Sequence, residues 1–354
     1  MTSKMLEEIR QQPVALERTL RGELRKFEKL KKTFEKKKPR FIALAARGTS
    51  DNAAQFARYL LEITTGIPVS LCAPSVYTLY KAPVDLRDSL VVAISQSGES
   101  TDTNVVLETA RAAGAITVGI TNEADSAMSR LAEHTFLVRA GREKSVAATK
   151  TYTGQMMALY LLAWSLGARI SLDELRRIPE WTDAALKLQP RVAEAAVRFR
   201  FMDHAVVIGR GLNYSNAFEF ALKMMETCYV VAERFSSADL AHGPIAMVEQ
   251  GFPAFLLTPS GVTWPGVKAM VERLHALKAE LLLVTDASNA DARAMERRSI
   301  VLPMKLARKS ANPEELYTPI PYIVPAQLFV EALAQLKGLD PDKPRTITKV
   351  TQTL

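Results

Sequence analysis

Residues 89–104 read Ser-Leu-Val-Val-Ala-Ile-Ser-Gln-Ser-Gly-Glu-Ser-Thr-Asp-Thr-Asn, and this stretch decides the fold. The apolar run from Leu90 to Ile94 has the continuous hydrophobicity of a parallel strand buried on both faces. It breaks at Ser95-Gln96-Ser97-Gly98-Glu99-Ser100-Thr101, where Gly98 allows a tight turn and close backbone approach. Helical spacing resumes over 103–113 through Val105, Val106, Leu107 and Ala110. A strand, a hydroxyl-rich turn and a helix N-terminus together make an anion site, because unbonded amides and the positive end of the helix dipole face the ligand. One hydroxyl here would read as a helix cap. Hydroxyls at 95, 97, 100, 101 and 103 point instead to a phosphate.

Outward from this stretch, strands and helices alternate. The spacing predicts a helix over residues 4–37, ending before Pro39. A strand from Phe41 to Ala46 leads into Arg47-Gly48-Thr49-Ser50-Asp51-Asn52, and a helix follows through Phe56, Leu60 and Leu61. Short strands are expected at Pro68 to Cys72, Ile116 to Ile120 and Phe136 to Val138. A long helix over 148–168 and helical residues from Ser171 to about Arg198 lead to the second half.

The second half repeats the first. Arg47-Gly48 returns as Arg210-Gly211, 163 positions on, and Asn52-Ala53 and Phe56-Ala57 return as Asn216-Ala217 and Phe220-Ala221, 164 on. Glu62 falls on Glu226 and Thr121 on Thr285 at 164, while Ile94-Ser95 with Ser97-Gly98 matches Leu257-Thr258 with Ser260-Gly261 at 163. The fold class is therefore α/β: two tandem, doubly wound, flavodoxin-like parallel sheets related by an internal repeat, with ligands at the carboxyl ends of the strands. The expected division is an amphipathic helical segment over 1–39, a first domain over 40–170, a linking helix over 171–200, a second domain over 201–335 and a tail over 336–354. The copies differ at the turn. The second has Thr258-Pro259-Ser260-Gly261-Val262-Thr263-Trp264, in which Pro259 removes an amide donor and Val262 and Trp264 replace polar groups. Phosphate is thus expected in the first copy only, and the second carries the ionisable groups Lys223, Glu226 and His242.

Composition narrows the function. The chain has 354 residues, 48% hydrophobic and 24% charged, enough for two cores. Net charge is +8, concentrated between Arg25 and Arg40. Glu23, Glu28 and Glu35 interleave there, and Leu24, Phe27, Leu30 and Phe34 form a helical stripe, so a solvated amphipathic helix rather than a nucleic-acid surface is read. The N-terminus lacks the apolar core of a signal peptide, and the longest apolar run, Met156 to Leu166, is too short to span a bilayer. Two cysteines, Cys72 and Cys228, make neither a disulfide framework nor a metal cluster. A cytoplasmic protein with no nucleic-acid or membrane partner and no metal is expected.

Lys223 and Glu226 are three apart and share a helix face among Leu222, Met224 and Met225. Burial there would raise a carboxylate toward the range of a useful base, although the spacing suits a surface ion pair equally well. His242 lies in Ala238-Asp239-Leu240-Ala241-His242-Gly243-Pro244, a loop with no metal-ligand spacing to another histidine. Lys349 sits in a polar C-terminal tail that could close over a ligand.

These residues resemble a known family, the sugar-isomerase (SIS) domain pair of glucosamine-6-phosphate synthase and the stand-alone double-SIS aminosugar-phosphate deaminases and isomerases. The resemblance covers roughly 40–354. It rests on Arg47-Gly48-Thr49-Ser50, Ser95-Gln96-Ser97-Gly98-Glu99-Ser100, Ser145-Val146-Ala147-Ala148-Thr149-Lys150, Lys223 with Glu226, His242-Gly243-Pro244, and Pro344-Arg345 before Lys349. It implies that Ser95, Gln96, Ser97 and Ser100 hold a sugar phosphate, with Gly48, Thr49, Ser50 and the loop from Val146 to Ala148 lining the sugar. It further implies that His242 assists ring opening, supplied across a homodimer, and that Glu226 moves a proton between C1 and C2. Lys223 would support that carboxylate, and Lys349 would contact the open-chain carbonyl. No cofactor is implied. Two departures stand out: only about 40 residues precede the first strand, where the synthase has a glutaminase domain, and Ser100 and Ala148 replace Thr and Ser. The expected reaction is glucosamine 6-phosphate to fructose 6-phosphate plus ammonia. A glutaminase-less isomerase and aminotransferase of the glucosamine-6-phosphate synthase type, plain aldose–ketose isomerisation, deglycation and phosphosugar sensing are the alternatives.

Overall fold

A computed structural model describes residues 2–306 and 312–348. Among them, ten strands form two five-stranded sheets, parallel throughout. The first contains β1 (Phe41–Ala45), β2 (Val69–Leu71), β3 (Ser89–Ser95), β4 (Ile116–Thr121) and β5 (His134–Leu137), in the order β2-β1-β3-β4-β5. The second contains β6 (His204–Gly209), β7 (Val231–Ser236), β8 (Pro253–Thr258), β9 (Glu280–Asp286) and β10 (Ile300–Leu302), in the order β7-β6-β8-β9-β10. The two orders are the same, which is the structural form of the sequence repeat. Strand order reverses between β1 and β3, and at such a switch point the loops leaving both strands diverge and leave a crevice for a ligand.

The chain divides into two compact units that interleave in sequence. One holds β1–β5 and comprises residues 14–143 and 150–176, with Ile347 and Thr348. The other holds β6–β10 and comprises residues 2–13, 144–149 and 177–346.

In the unit of β1–β5, every residue of β3 is buried, as its unbroken apolar sequence demands. Helices Thr49–Thr65 and Lys150–Ser165 pack beside the sheet, and the second is buried along almost its whole length. The basic segment is a helix, Gln12–Lys36, whose Phe27, Leu30 and Phe34 are buried while most of its lysines are exposed. Phe27 stacks on Phe136 of β5 with centroids 3.7 Å apart. The single helix expected over 4–37 is in fact two, Lys4–Arg10 and Gln12–Lys36. Gln11 closes the first, and Pro13, which has no amide hydrogen to give, occupies the first turn of the second.

In the unit of β6–β10, Phe199, Phe220, Phe255 and Phe329 interlock with centroids 4.8 to 5.7 Å apart. They tie β8 to helices Tyr214–Cys228 and Pro319–Leu336. The helical bridge expected from Ser171 to Arg198 is broken into Leu172–Leu186 and Gln189–Val197, with Pro190 in the first turn of the latter.

Candidate active site

The turn after β3 is held from several directions. Ser95 Oγ accepts from the Gly98 amide at 3.1 Å, and Ser97 Oγ from the Glu99 amide at 3.3 Å. The Gly98 carbonyl takes Asn104 Nδ2 at 3.1 Å and the Met128 amide at 3.0 Å, while Glu99 Oε1 accepts from the Ala127 amide at 2.9 Å. Gly98 has φ +68°, and a Cβ there would collide with the side chain of Ser126. Glycine is thus required both by backbone conformation and by space. Gln96, Ser97 and Ser100 stay half-exposed at the mouth of helix Thr101–Ala112, whereas Ser95 is buried. Thr103 faces inward and donates to the Ser100 carbonyl at 3.0 Å, so its hydroxyl serves the helix.

The loop leaving β1 lies in the same unit. Arg47 donates to Asp102 Oδ2 through Nε at 3.0 Å and Nη2 at 2.7 Å, tying this loop to the helix that follows the hydroxyl turn. Gly48 and Thr49 are at the surface, and buried Ser50 Oγ accepts from Gln155 Nε2 at 2.9 Å. Burial pushes the Asp51 carboxyl upward against the attraction of Arg47.

Residues 144–149 belong to the other unit. Ser145, Ala147 and Thr149 are buried while Val146 and Ala148 are half-exposed, along a bent loop. The loop hangs on the N-terminal helix, whose buried Glu8 accepts from the amides of Lys144 and Ser145, the latter at 3.1 Å. Gln12 Nε2 donates to Gln327 Oε1 at 2.8 Å, and Gln327 donates to the Thr149 carbonyl at 3.4 Å.

On helix Tyr214–Cys228, Lys223 Nζ donates to Glu226 Oε2 at 2.6 Å and lies 3.4 Å from Glu219 Oε1. The side chains of Lys223 and Glu219 are 1% and 0% exposed, and that of Glu226 is 24% exposed. The surface ion pair is thereby replaced by a buried ammonium between two carboxylates, one of which reaches solvent. Among the described residues Glu226 is engaged through Oε2 alone. His242 is exposed and follows the short helix Ser237–Ala241. Lys349 lies outside the described residues. Both cysteines are free, and burial raises each thiol to about 11, which leaves neither poised as a nucleophile.

The SIS domain family matches twice, over residues 36–165 and 199–330. The chain belongs to that family. A curated relative, glutamine–fructose-6-phosphate aminotransferase (isomerizing) of Pyrococcus horikoshii, is 37% identical over 98% of this chain and 57% of its own length. The chain thus spans little more than half of that relative. The solved C-terminal domain of glucosamine-fructose-6-phosphate aminotransferase from Francisella tularensis superposes with TM-score 0.86 at 30% identity, covering 97% of this chain and 99% of that one. A glucosamine-6-phosphate deaminase from Thermotoga maritima shares the fold, with TM-score 0.75 at 23% identity over 99% and 100% of the two chains.

The structure also brings together residues that the sequence did not single out. Asp102 anchors Arg47, Glu8 anchors the 144–149 loop from 136 positions away, and Glu219 is the second partner of Lys223. Glu219 had a local signal, since it stands at i−4 from Lys223 on the same helix face. Glu8 had none, because its partners are backbone amides far along the chain.

Proposed function

We propose that the chain is an aminosugar-phosphate isomerase that converts glucosamine 6-phosphate into fructose 6-phosphate and ammonia. The observation that carries this reading is the half-exposed carboxylate of Glu226, fixed through one oxygen by a buried ammonium. Its other oxygen is left for proton transfer, and the ammonium keeps the carboxylate in one rotamer. In this reading Ser95, Gln96, Ser97 and Ser100 hold the phosphate, and Gly48, Thr49, Ser50, Val146 and Ala148 line the sugar. His242, contributed by the second subunit of a homodimer, assists opening of the ring to the aldehyde. Glu226 takes the proton from C2 and returns it to C1, with Lys223 holding it in place, while the C1 carbonyl oxygen gains a proton and the C2 amine gives one up. The resulting C2 imine is hydrolysed by one water, which releases ammonia and leaves the ketose. Lys349 contacts the open-chain carbonyl. A carboxylate and an imidazole suffice for this chemistry, so the reading names no cofactor.

Relatives named as aminotransferases favour a second reading, in which the same proton transfer runs toward the aminosugar. Ammonia measured from purified protein given glucosamine 6-phosphate tests the first reading. Ammonia appearing with fructose 6-phosphate in equal amounts supports it. Turnover of another sugar phosphate without ammonia replaces it by plain isomerisation, and binding without turnover of any sugar phosphate replaces it by sensing.

A further inference from the structure

The second SIS copy keeps the strand–turn–helix of the first, with β8 in place of β3 and helix Trp264–Ala276 in place of Thr101–Ala112. An anion already sits at that turn. The carboxylate of Glu315, from the single-turn helix Glu314–Tyr317, accepts from the Val262 amide at 3.0 Å, and the Thr263 amide beside it favours its charged form. Glu315 is only 2% exposed. Gly261, the counterpart of Gly98, has φ +131°, and any Cβ there would collide with the Glu315 carboxylate. A second acid, Asp286, accepts from the Ser260 amide at 3.1 Å. Its counterpart in the first copy, 164 positions earlier, is the neutral Asn122. There the Gly98 and Glu99 amides take serine hydroxyls, which keep their own donors for a ligand.

We propose that the second SIS copy retains a cradle for a tetrahedral oxyanion and that Glu315 occupies it as a built-in substitute for phosphate. The second turn has Trp264 where the first has the hydroxyl of Thr101 and loses one amide to Pro259, but its remaining amides and helix dipole need a negative partner. Glu315 supplies one from within the chain. The residue therefore restricts anion binding to the first copy and fixes the second turn without a ligand. Val262 is 74% exposed, so the turn lies at the surface and removal of the Glu315 side chain opens it to solvent ions. This inference goes beyond the reaction and does not depend on it.

The test compares the whole parent chain with Glu315→Ala and Glu315→Gln, using inorganic phosphate at constant ionic strength as probe. Phosphate is expected to raise the melting temperature of Glu315→Ala by about 2–4 °C more than that of the parent. Glu315→Gln, whose amide oxygen still reaches the cradle, is expected to respond as the parent does. Should Glu315→Ala be unfolded in plain buffer, phosphate is expected to restore a cooperative transition. Crystals of Glu315→Ala grown with phosphate are expected to show the ion on the Val262 and Thr263 amides. Equal responses of all three proteins, an alanine variant that phosphate does not rescue, or a cradle holding only water would each overturn the proposal. Binding at the first copy is common to all three proteins, so failure of the enzymatic reading leaves the comparison intact.

Discussion

The ammonium of Lys223 lies 2.6 Å from Oε2 of Glu226, and the lysine is buried while the glutamate reaches solvent. A lysine 1% exposed is tolerated only because carboxylates surround it, here Glu226 and the buried Glu219. Replacing Lys223 by Met removes the ammonium from beside Glu219 and is expected to cost about 3 kcal/mol of stability. Urea unfolding of Lys223→Met checks this, and a loss below about 1 kcal/mol would show that the charge is not held as described. Turnover is expected to fall as well, because Glu226 loses the contact that orients it.

Gly98 gives a sharper test of the hydroxyl turn. Alanine at 98 is strained at φ +68° and meets Ser126, so the turn must open. Gly98→Ala is expected to weaken binding of a sugar phosphate at least tenfold, read by calorimetry. Ser97→Ala, which leaves the backbone intact, is expected to weaken it less.

Glu8 holds two amides of the 144–149 loop with one carboxylate. Hydrogen bonds to a charged acceptor are worth about 1.5–3 kcal/mol, so Glu8→Gln is expected to lose roughly that much stability. Val146 and Ala148 lie in the loop it holds, and KM is expected to rise more than kcat falls. Equal KM in parent and variant would show that the loop does not face substrate.

Stability is expected to depend on Glu331 in a definite direction. Burial pushes its carboxyl above the ordinary range, against donors from Ser3 and Gln335. The folded chain therefore binds the proton more tightly than the unfolded chain does. Its contribution is complete below the ordinary carboxyl value of about 4.3 and is lost as pH rises through the raised folded value. Glu331→Gln is expected to flatten that decline in urea midpoints measured from mildly acid to neutral pH. An unchanged slope would contradict the assignment.

The repeat was legible in the sequence because both copies keep small and polar residues where strand meets helix, as in Arg47-Gly48 and Arg210-Gly211. Continuous apolar runs such as Leu90 to Ile94 marked the central strands, since a strand covered on both faces has no polar side to alternate with. Helix breaks were harder. The periodicity of 4–37 continues across Gln11, and only Pro13 hints that two helices meet there. The lysine–glutamate pair was visible from spacing, but its burial was not, because burial of Lys223 depends on what packs over the helix. Glu8 and Glu315 were invisible for a common reason: each serves backbone amides, which carry no sequence signature.

The most direct test of the account is proton exchange in heavy water with fructose 6-phosphate and ammonium as substrates, followed by NMR at C1. The parent chain is expected to incorporate deuterium at C1, and Glu226→Gln to lose that exchange by a factor of about 10²–10⁴ while binding the sugar phosphate within about twofold of the parent. Exchange by Glu226→Gln at the parent's rate would contradict the central claim that this carboxylate carries the proton.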